Sequence, residues 1–282
     1  MNIVTTTSVF PPCYSAEDAL LRLKKCGFRH LDLAIDYMTQ DKSFPFLTSE
    51  WENWAKSLRA LADENGVTYT HAHACGSASS RSSQMLRGFQ VCKILGIRYI
   101  VVHPIYKNAD QKIITDPDEF VALNAKEVQP LLKIADECGV TVLSENLLWG
   151  ASIPPAVISA LVEEVNSPNF GWCYDVGHAH CQGFNNDALL GLKHPPLSLH
   201  IHDNQGHSND EHLIPGDGTV DWKRFVEVLL EVGYQGDLVL EAHHQSLDLP
   251  DEERDTHLSK LYQIAQKINC DYTSLANAKG RN

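Results

Sequence analysis

The segment 169–180 contains the residues best suited to chemistry. It begins as an apolar run typical of a buried strand and ends in Asp175, Gly177 and His178. A carboxylate at the end of a buried strand must be paired, hydrogen-bonded or bound to a cation, because unpaired charge is costly to bury. Gly177 permits a sharp departure from the strand, so His178 can return toward Asp175. Alone, this segment fits either an Asp–His hydrogen bond or a metal or catalytic site.

Other apolar runs end in similar residues, namely His71 and His73, His103, Glu145, His200 and His202, and Glu241. Residues two apart on a strand share a face, so His71 lies with His73 and His200 with His202. A single histidine at a strand end is often a core residue. A buried glutamate requires a stronger explanation, because carboxylates are rarely buried unpaired.

The elements that must position these groups form a regular alternation. Strand-like runs occur at 2–10, 30–36, 67–74, 98–104, 140–146, 170–176, 197–203 and 237–243. Helical periodicity lies between them, for example at 50–65, 82–95, 118–138 and 221–232, and 186–192 predicts only a short helix. Glycines such as Gly66 and Gly139 follow the helices, as expected of residues that end a helix in a left-handed conformation.

Near-continuous apolar strands indicate a parallel sheet, and eight such units predict a single (β/α)8 TIM barrel. We expect this barrel to span 1–276, followed by a frayed tail at 277–282. A doubly wound sheet is the alternative. It usually carries a glycine-rich phosphate loop after its first strand, where this chain has Phe10-Pro11-Pro12-Cys13, and we therefore reject it.

The carboxyl ends of barrel strands meet on one face, where Glu145, Asp175 and Glu241 would repel each other. A cation removes that repulsion. A strand-seven histidine would complete a nitrogen and oxygen ligand set suited to manganese, cobalt, zinc or magnesium. The sequence therefore predicts a divalent metal site.

Composition restricts the partners. The 282-residue chain has a formal net charge of −13, from 23 Lys+Arg and 36 Asp+Glu. This charge repels phosphate backbones and disfavours a nucleic-acid partner. Eight scattered cysteines, no secretory signal and no long apolar run predict a reduced cytoplasmic protein without membrane contact. The sequence leaves open whether the protein forms a homo-oligomer.

Five motifs together carry a family resemblance: Ser144-Glu145-Asn146, 173–178, 200–204, 215–222 and Leu240-Glu241-Ala242. In this order they resemble the xylose isomerase-like barrel superfamily, whose sugar phosphate isomerases and epimerases share a fold with endonuclease IV. The resemblance implies metal ligands at Glu145, Asp175, His200 and Glu241. His200 is chosen over His202 because the family's ligand precedes an acidic residue by three positions, here Asp203. The resemblance also implies that His178 contacts the substrate, and we expect His202, His73 and His103 to do so too.

Two features bear on the substrate. The ketose 3-epimerases of this group carry an arginine after the strand-seven ligand, where this chain has Gly206-His207. Asp210 and His212 precede Pro215-Gly216 at a spacing similar to the second metal motif of endonuclease IV. With His73, His103 and His178, the ligand types of that enzyme's zinc cluster are present. We expect Asp210 and His212 to form a substrate loop or a second metal site, with the substrate loop preferred.

The expected function is a divalent-metal-dependent sugar isomerase or epimerase that acts on a ketose or related polyol. Glu145 and Glu241 would move a proton through an enediolate that the ion stabilises. Mn²⁺ is the expected ion, with Co²⁺, Mg²⁺ or Zn²⁺ as alternatives. Trp149 and Trp172 could stack on the sugar or belong to the core. The competing functions are a metal-dependent sugar-acid or inosose dehydratase or lyase and an endonuclease IV-like phosphodiesterase.

Overall fold

The computed structural model describes residues 1–148, 153–207 and 209–280. Within these ranges eight parallel strands form one sheet in the order β7-β6-β5-β4-β3-β2-β1-β8. The strands are β1 Ile3–Thr6, β2 His30–Ala34, β3 Thr68–Ser77, β4 Tyr99–His103, β5 Thr141–Glu145, β6 Phe170–Asp175, β7 Ser198–His200 and β8 Leu238–Leu240.

The sheet closes on itself. β8 pairs with β1, and Ile3 lies opposite Leu238. Between β7 and β8 the amide of Ile201 donates to the carbonyl of Val239 at 2.8 Å, and the amide of Glu241 donates to the carbonyl of Ile201 at 3.0 Å. The chain is therefore a single (β/α)8 barrel, which confirms the fold predicted from the sequence.

Helices connect the strands and cover the outside of the barrel. They are α1 Ala16–Lys25, α2 Ile35–Met38, α3 Trp51–Asn65, α4 Ser83–Leu95, α5 Pro117–Cys138, α6 Pro155–Val165, α7 Val176–Cys181, α8 Trp222–Glu231, α9 His244–Asp248 and α10 Asp251–Ala278. Gly66 and Gly139 follow α3 and α5 with φ of 62° and 68°. This left-handed conformation ends each helix as predicted.

The terminal strands are shorter than the apolar runs that predicted them. β1 stops at Thr6, because residues Thr7–Val9 form a 3-10 turn. The backbone N–H of Ser8 in this turn donates to the Thr6 hydroxyl. Between β6 and β7, after α7, the short helix predicted at 186–192 is a 3-10 turn at Asn186–Leu189. No described helix is long and apolar enough to cross a membrane. The domain limit at 276 stays a prediction, since α10 runs to Ala278 and residues 281–282 lie outside the described ranges.

Two apolar layers position the site. The larger lies between the sheet and the helices, and the smaller fills the barrel with Tyr99, Val101, Leu143 and Cys173, which are at most 8% exposed. Side chains alternate along a strand, so the next inward residues after Val101, Leu143 and Cys173 lie one layer closer to the carboxyl end. Those residues are His103, Glu145 and Asp175.

Candidate metal centre and active site

The four residues expected to bind metal lie together at the carboxyl end of the barrel. One donor atom from each of Glu145, Asp175, His200 and Glu241 lies within 4.8 Å of the others. All four residues are at most 6% exposed. His200 Nδ1 is 2.9 Å from Glu145 Oε1 and 3.3 Å from Glu241 Oε2. The structure thus brings together groups contributed by β5, β6, β7 and the segment after β8.

The two oxygens of Asp175 have different surroundings. Oδ1 accepts the backbone N–H of His178 at 2.6 Å, which caps α7, and lies 3.1 Å from His202 Nε2. Asn146 holds the backbone of Asp175 through a pair of 2.8 Å hydrogen bonds. Oδ2 is buried and has no hydrogen-bond partner among the described residues. One oxygen is therefore fixed by the protein, and the other is free to bind a ligand.

A divalent cation fits this group. Glu145 Oε2, like Asp175 Oδ2, is buried without a hydrogen-bond partner in the described part of the chain. Leaving buried carboxylate oxygens unsatisfied is costly, and a cation among them would remove that cost. Three carboxylates and one imidazole form a hard, mixed donor set of the kind that binds Mn²⁺, Zn²⁺, Co²⁺ or Mg²⁺.

Charge within the metal-free site is balanced by protons on histidines. Burial acts to raise the pKa of Glu145 and of Glu241, but His200 and other nearby histidines hold both pKa values below their usual range. Burial acts to lower the pKa of His73, but its pairing with Glu241 raises that pKa to about 9. These shifts favour ionised Glu145 and Glu241 beside a protonated His73, and a bound cation would take the place of that proton's positive charge.

A second group of donors lies beside the first. Asp210 Oδ2 is 3.1 Å from His178 Nε2 and 2.8 Å from His212 Nε2, and Asp210 Oδ1 is 3.7 Å from His202 Nε2. One donor atom from each of these four residues lies within 4.8 Å of the others. Asp210 thus bridges His178 and His212 and lies near His202, so the predicted pair Asp210 and His212 reaches the site with His178.

A third group overlaps the first through Glu145. The Nε2 atoms of His73 and His103 are 2.8 Å apart, and His103 Nε2 is 3.4 Å from Glu145 Oε2. His73 Nδ1 is also 3.4 Å from Glu241 Oε1. His71, on the same face of β3 as His73, lies deeper in the barrel and bonds the Ser198 hydroxyl at 3.0 Å. His71 therefore belongs to the barrel interior.

A cavity of about 450 Å³ opens above these groups. It is lined by both expected catalytic carboxylates and by His73, His103 and His178, which were expected to contact substrate. His202 is not among the described residues that line it. This side chain is fully buried, and its position behind Asp175 favours a positioning role over direct substrate contact. Trp172 is fully buried as well, whereas Trp149 lies outside the described residues.

Sequence reasoning missed several polar residues at the site. Asp36, Tyr37, His243 and His244 line the cavity and lie beyond the ends of β2 and β8, although the strand-like runs 30–36 and 237–243 included Asp36 and His243. Asp32 is fully buried in β2, and neither of its carboxylate oxygens has a hydrogen-bond partner among the described residues. A lone carboxylate within the apolar run of β2 is the same signal that identified Glu145.

Comparisons with known proteins agree with this architecture. A family model described as xylose isomerase-like TIM barrel matches residues 20–264. Uncharacterized protein MJ1311 of Methanocaldococcus jannaschii is 29% identical over 148 residues, so the match covers 50% of this chain and only 50% of that relative's length.

Two solved structures share the fold. The IolI protein, solved with a zinc atom, has a TM-score of 0.74 at 20% identity and covers 97% of this chain and 98% of its own. D-Psicose 3-epimerase from Clostridium cellulolyticum H10, solved with D-tagatose, has a TM-score of 0.71 at 17% identity and covers 95% and 99%. With the family match over most of its length, the chain belongs to the xylose isomerase-like TIM barrel family.

Proposed function

We propose that this protein is a divalent-metal-dependent isomerase or epimerase of a ketose or related polyol. The observation that carries the proposal is the shared position of Glu145 and Glu241, which line one cavity and belong to one group of metal donors. The similar structures described as D-psicose 3-epimerase and as zinc-containing IolI support this class of reaction and a bound ion.

Glu145, Asp175, His200 and Glu241 would hold the ion, with Mn²⁺ preferred and Zn²⁺, Co²⁺ or Mg²⁺ as alternatives. When bound, such an ion supplies a Lewis acid that acidifies the C–H beside a sugar carbonyl. His202 and Asn146 would position Asp175, because they bond its carboxylate and backbone.

Proton transfer would be carried out by the two glutamates. Both line the cavity, and either carboxylate could accept a proton from a substrate carbon whose C–H bond the ion has acidified. His73 lies between them, with Nδ1 3.4 Å from Glu241 and Nε2 4.0 Å from Glu145. Its imidazole can therefore hold a proton for either glutamate. His103 would bind a neighbouring hydroxyl of the sugar.

We propose that Asp210, His178 and His212, with His202, hold a second ion rather than act only as a substrate loop. The separation of their donor atoms supports this, because ligands about 2 Å from one ion lie roughly 3 Å apart. Three adjoining donor groups also favour a second candidate function, metal-dependent phosphodiester hydrolysis. The net charge of −13 opposes a nucleic-acid substrate for that reaction.

The deciding experiment incubates the Mn²⁺-loaded protein with ketoses, inososes and sugar acids in deuterated water. Deuterium in recovered sugar, together with an epimer or isomer, would support the proposal. Loss of water detected by ultraviolet absorbance would instead indicate a dehydratase. Incision of an abasic oligonucleotide by wild-type protein, but not by His212→Ala, would establish the phosphodiesterase in its place.

A further inference from the structure

We propose that an open groove beside the active-site cavity binds a second, uncharged polyhydroxylated unit of the substrate. The substrate class would then be a ketose joined to another sugar rather than a free monosaccharide. This inference rests on the proposed isomerase or epimerase function, and it specifies what enters that site.

The groove adjoins the cavity at Asp36, which lines both. It has a volume of about 680 Å³ and is lined by Asp36, Thr39, Lys42, Leu47, Cys75, Gly76, Ser82 and Gln84. A substrate with two linked units would place one unit on each side of Asp36. The cavity alone is already within the size range of small-molecule sites, so the groove adds room for a further unit.

Two segments that are distant in sequence from the catalytic glutamates build the groove. One is the connection after β2, which includes α2, and the other is the end of β3 with the start of α4. β3 continues to Ser77, four residues beyond His73, and its register with β4 shifts between these two residues. The end of β3 thus extends beyond the proposed metal-binding residues and forms one wall of the groove.

The lining matches a neutral sugar. Asp36 contributes a carboxylate to the lining, a group that can accept from a hydroxyl. Lys42 and Gln84 supply donors on the same groove, and Leu47 and Cys75 supply apolar surface. Sugar rings present hydroxyls and apolar faces together, which such mixed surfaces bind. A phosphate would meet the single ammonium of Lys42 but also the carboxylate of Asp36.

Asp36 also lies within electrostatic reach of the catalytic site. Burial raises the pKa of Asp36, and the nearby His73 and His103 act in the opposite direction. Because both histidines line the inner cavity, Asp36 marks the boundary between the reacting unit and the unit in the groove.

The test compares D-fructose with isomaltulose, in which a glucosyl unit is attached to O6 of fructose. The measured quantity is the ratio of kcat/KM for deuterium exchange, isomaltulose over fructose, in Mn²⁺-loaded protein. We expect a ratio of at least about ten for wild type. Lys42→Met and Gln84→Leu should each bring it close to one. Lys56→Met on the exposed face of α3 is the matched control and should keep the wild-type ratio.

Calorimetric titration of both sugars into the Mn²⁺-loaded protein provides a second readout. Tighter binding of isomaltulose that is lost in Lys42→Met and Gln84→Leu would support the groove. Equal affinity for the two sugars, or a preference that neither substitution changes, would overturn the groove and leave the proposed function intact. Absence of both binding and exchange with either sugar would overturn the groove proposal, while the panel of ketoses, inososes and sugar acids would still decide the proposed function.

Discussion

The imidazole of His202 occupies the space that a β-carbon on residue 177 would need. Three ring atoms of His202 lie closer to that position than non-bonded atoms can approach, so only glycine fits at 177. The same ring bonds Asp175 Oδ1 through Nε2. Gly177 therefore has a function beyond turning the chain, because it lets a buried histidine reach the back of a proposed metal ligand.

Gly177→Ala should displace His202 and loosen Asp175. We expect a loss of about 1–3 kcal/mol in the free energy of unfolding, typical of overpacking a buried site, and weaker Mn²⁺ binding. Urea unfolding and Mn²⁺ titration would measure the two effects. Gly88→Ala is the control, since its β-carbon would meet Ile35 at an ordinary 3.5 Å and an α-helical alanine is favourable. Equal Mn²⁺ affinity in the two variants would contradict the positioning role of His202.

Asp203→Asn should release the segment that carries Asp210 and His212. The Asp203 carboxylate accepts the N–H groups of Gly216 at 2.7 Å, Val220 at 3.1 Å and the Trp222 ring at 2.7 Å. An amide offers one acceptor atom and turns a donor toward the remaining N–H groups. We therefore expect a loss of roughly 3 kcal/mol in the free energy of unfolding.

Limited proteolysis of residues 204–222, together with urea unfolding, would detect this release. Trp222→Phe removes one of the donors and keeps an aromatic ring, so its effect should be clearly smaller. If Asp203→Asn leaves both stability and proteolysis unchanged, the carboxylate does not anchor this segment.

Asp32→Asn should remove a pH-dependent loss in the free energy of unfolding. Burial, with a smaller contribution from Glu241, raises the pKa of Asp32 to about 6 in the metal-free protein, although His73 acts to lower it. Below about pH 4 the carboxyl is protonated in folded and unfolded chains alike. Between about pH 4 and pH 6 the unfolded chain ionises this carboxyl while the folded chain keeps it protonated. The free energy of unfolding therefore falls by about 3 kcal/mol over this range and stays lower above it.

Urea unfolding of the metal-free protein at pH 4 and pH 7.5 would measure this cost. Asp32→Asn should be more stable than wild type at pH 7.5 and similar at pH 4. Glu64→Gln, an exposed carboxyl on α3, serves as the control and should follow wild type. A variant that is less stable than wild type at pH 7.5 would show that ionised Asp32 is satisfied in the fold.

Asp210→Asn should remove one of the two proposed ions and retain the other. Because Asp210 bridges His178 and His212, its loss should remove the second ion and leave the one held by Glu145 and its partners. Elemental analysis after Mn²⁺ or Zn²⁺ loading should then fall from about two ions per chain to about one. Asp217→Asn, an exposed carboxylate on the same segment, should leave the stoichiometry at the wild-type value. One ion per chain in wild type would support the substrate-loop alternative.

Most of the fold and part of the site could be predicted because both depend on strand periodicity. Alternating apolar residues located the strands, and a carboxylate at an inward position identified Glu145 and Asp175. The depth of His202 could not be predicted, because alternation assigns a face but not the neighbours that bury the side chain. Asp36 lies in a single helical turn of four residues, which is too short for either the strand or the helix periodicity to be recognised.

The groove was not predictable for a different reason. Its walls come from the connection after β2 and from the end of β3 with the start of α4, and their residues are ordinary surface types in the sequence. Only the tertiary fold brings Lys42 and Gln84 to the same groove.

The apolar layer of Tyr99, Val101, Leu143 and Cys173 fills the barrel below Glu145 and Glu241, the proposed catalytic carboxylates. Among the described residues this layer closes the barrel on that side, so water would reach the two glutamates from the cavity that the proposed substrate would fill. Under the proposed function, a proton taken from the sugar would be sheltered from exchange while the sugar fills the cavity. Isotope from the original C–H bond should consequently return to part of the product in each turnover.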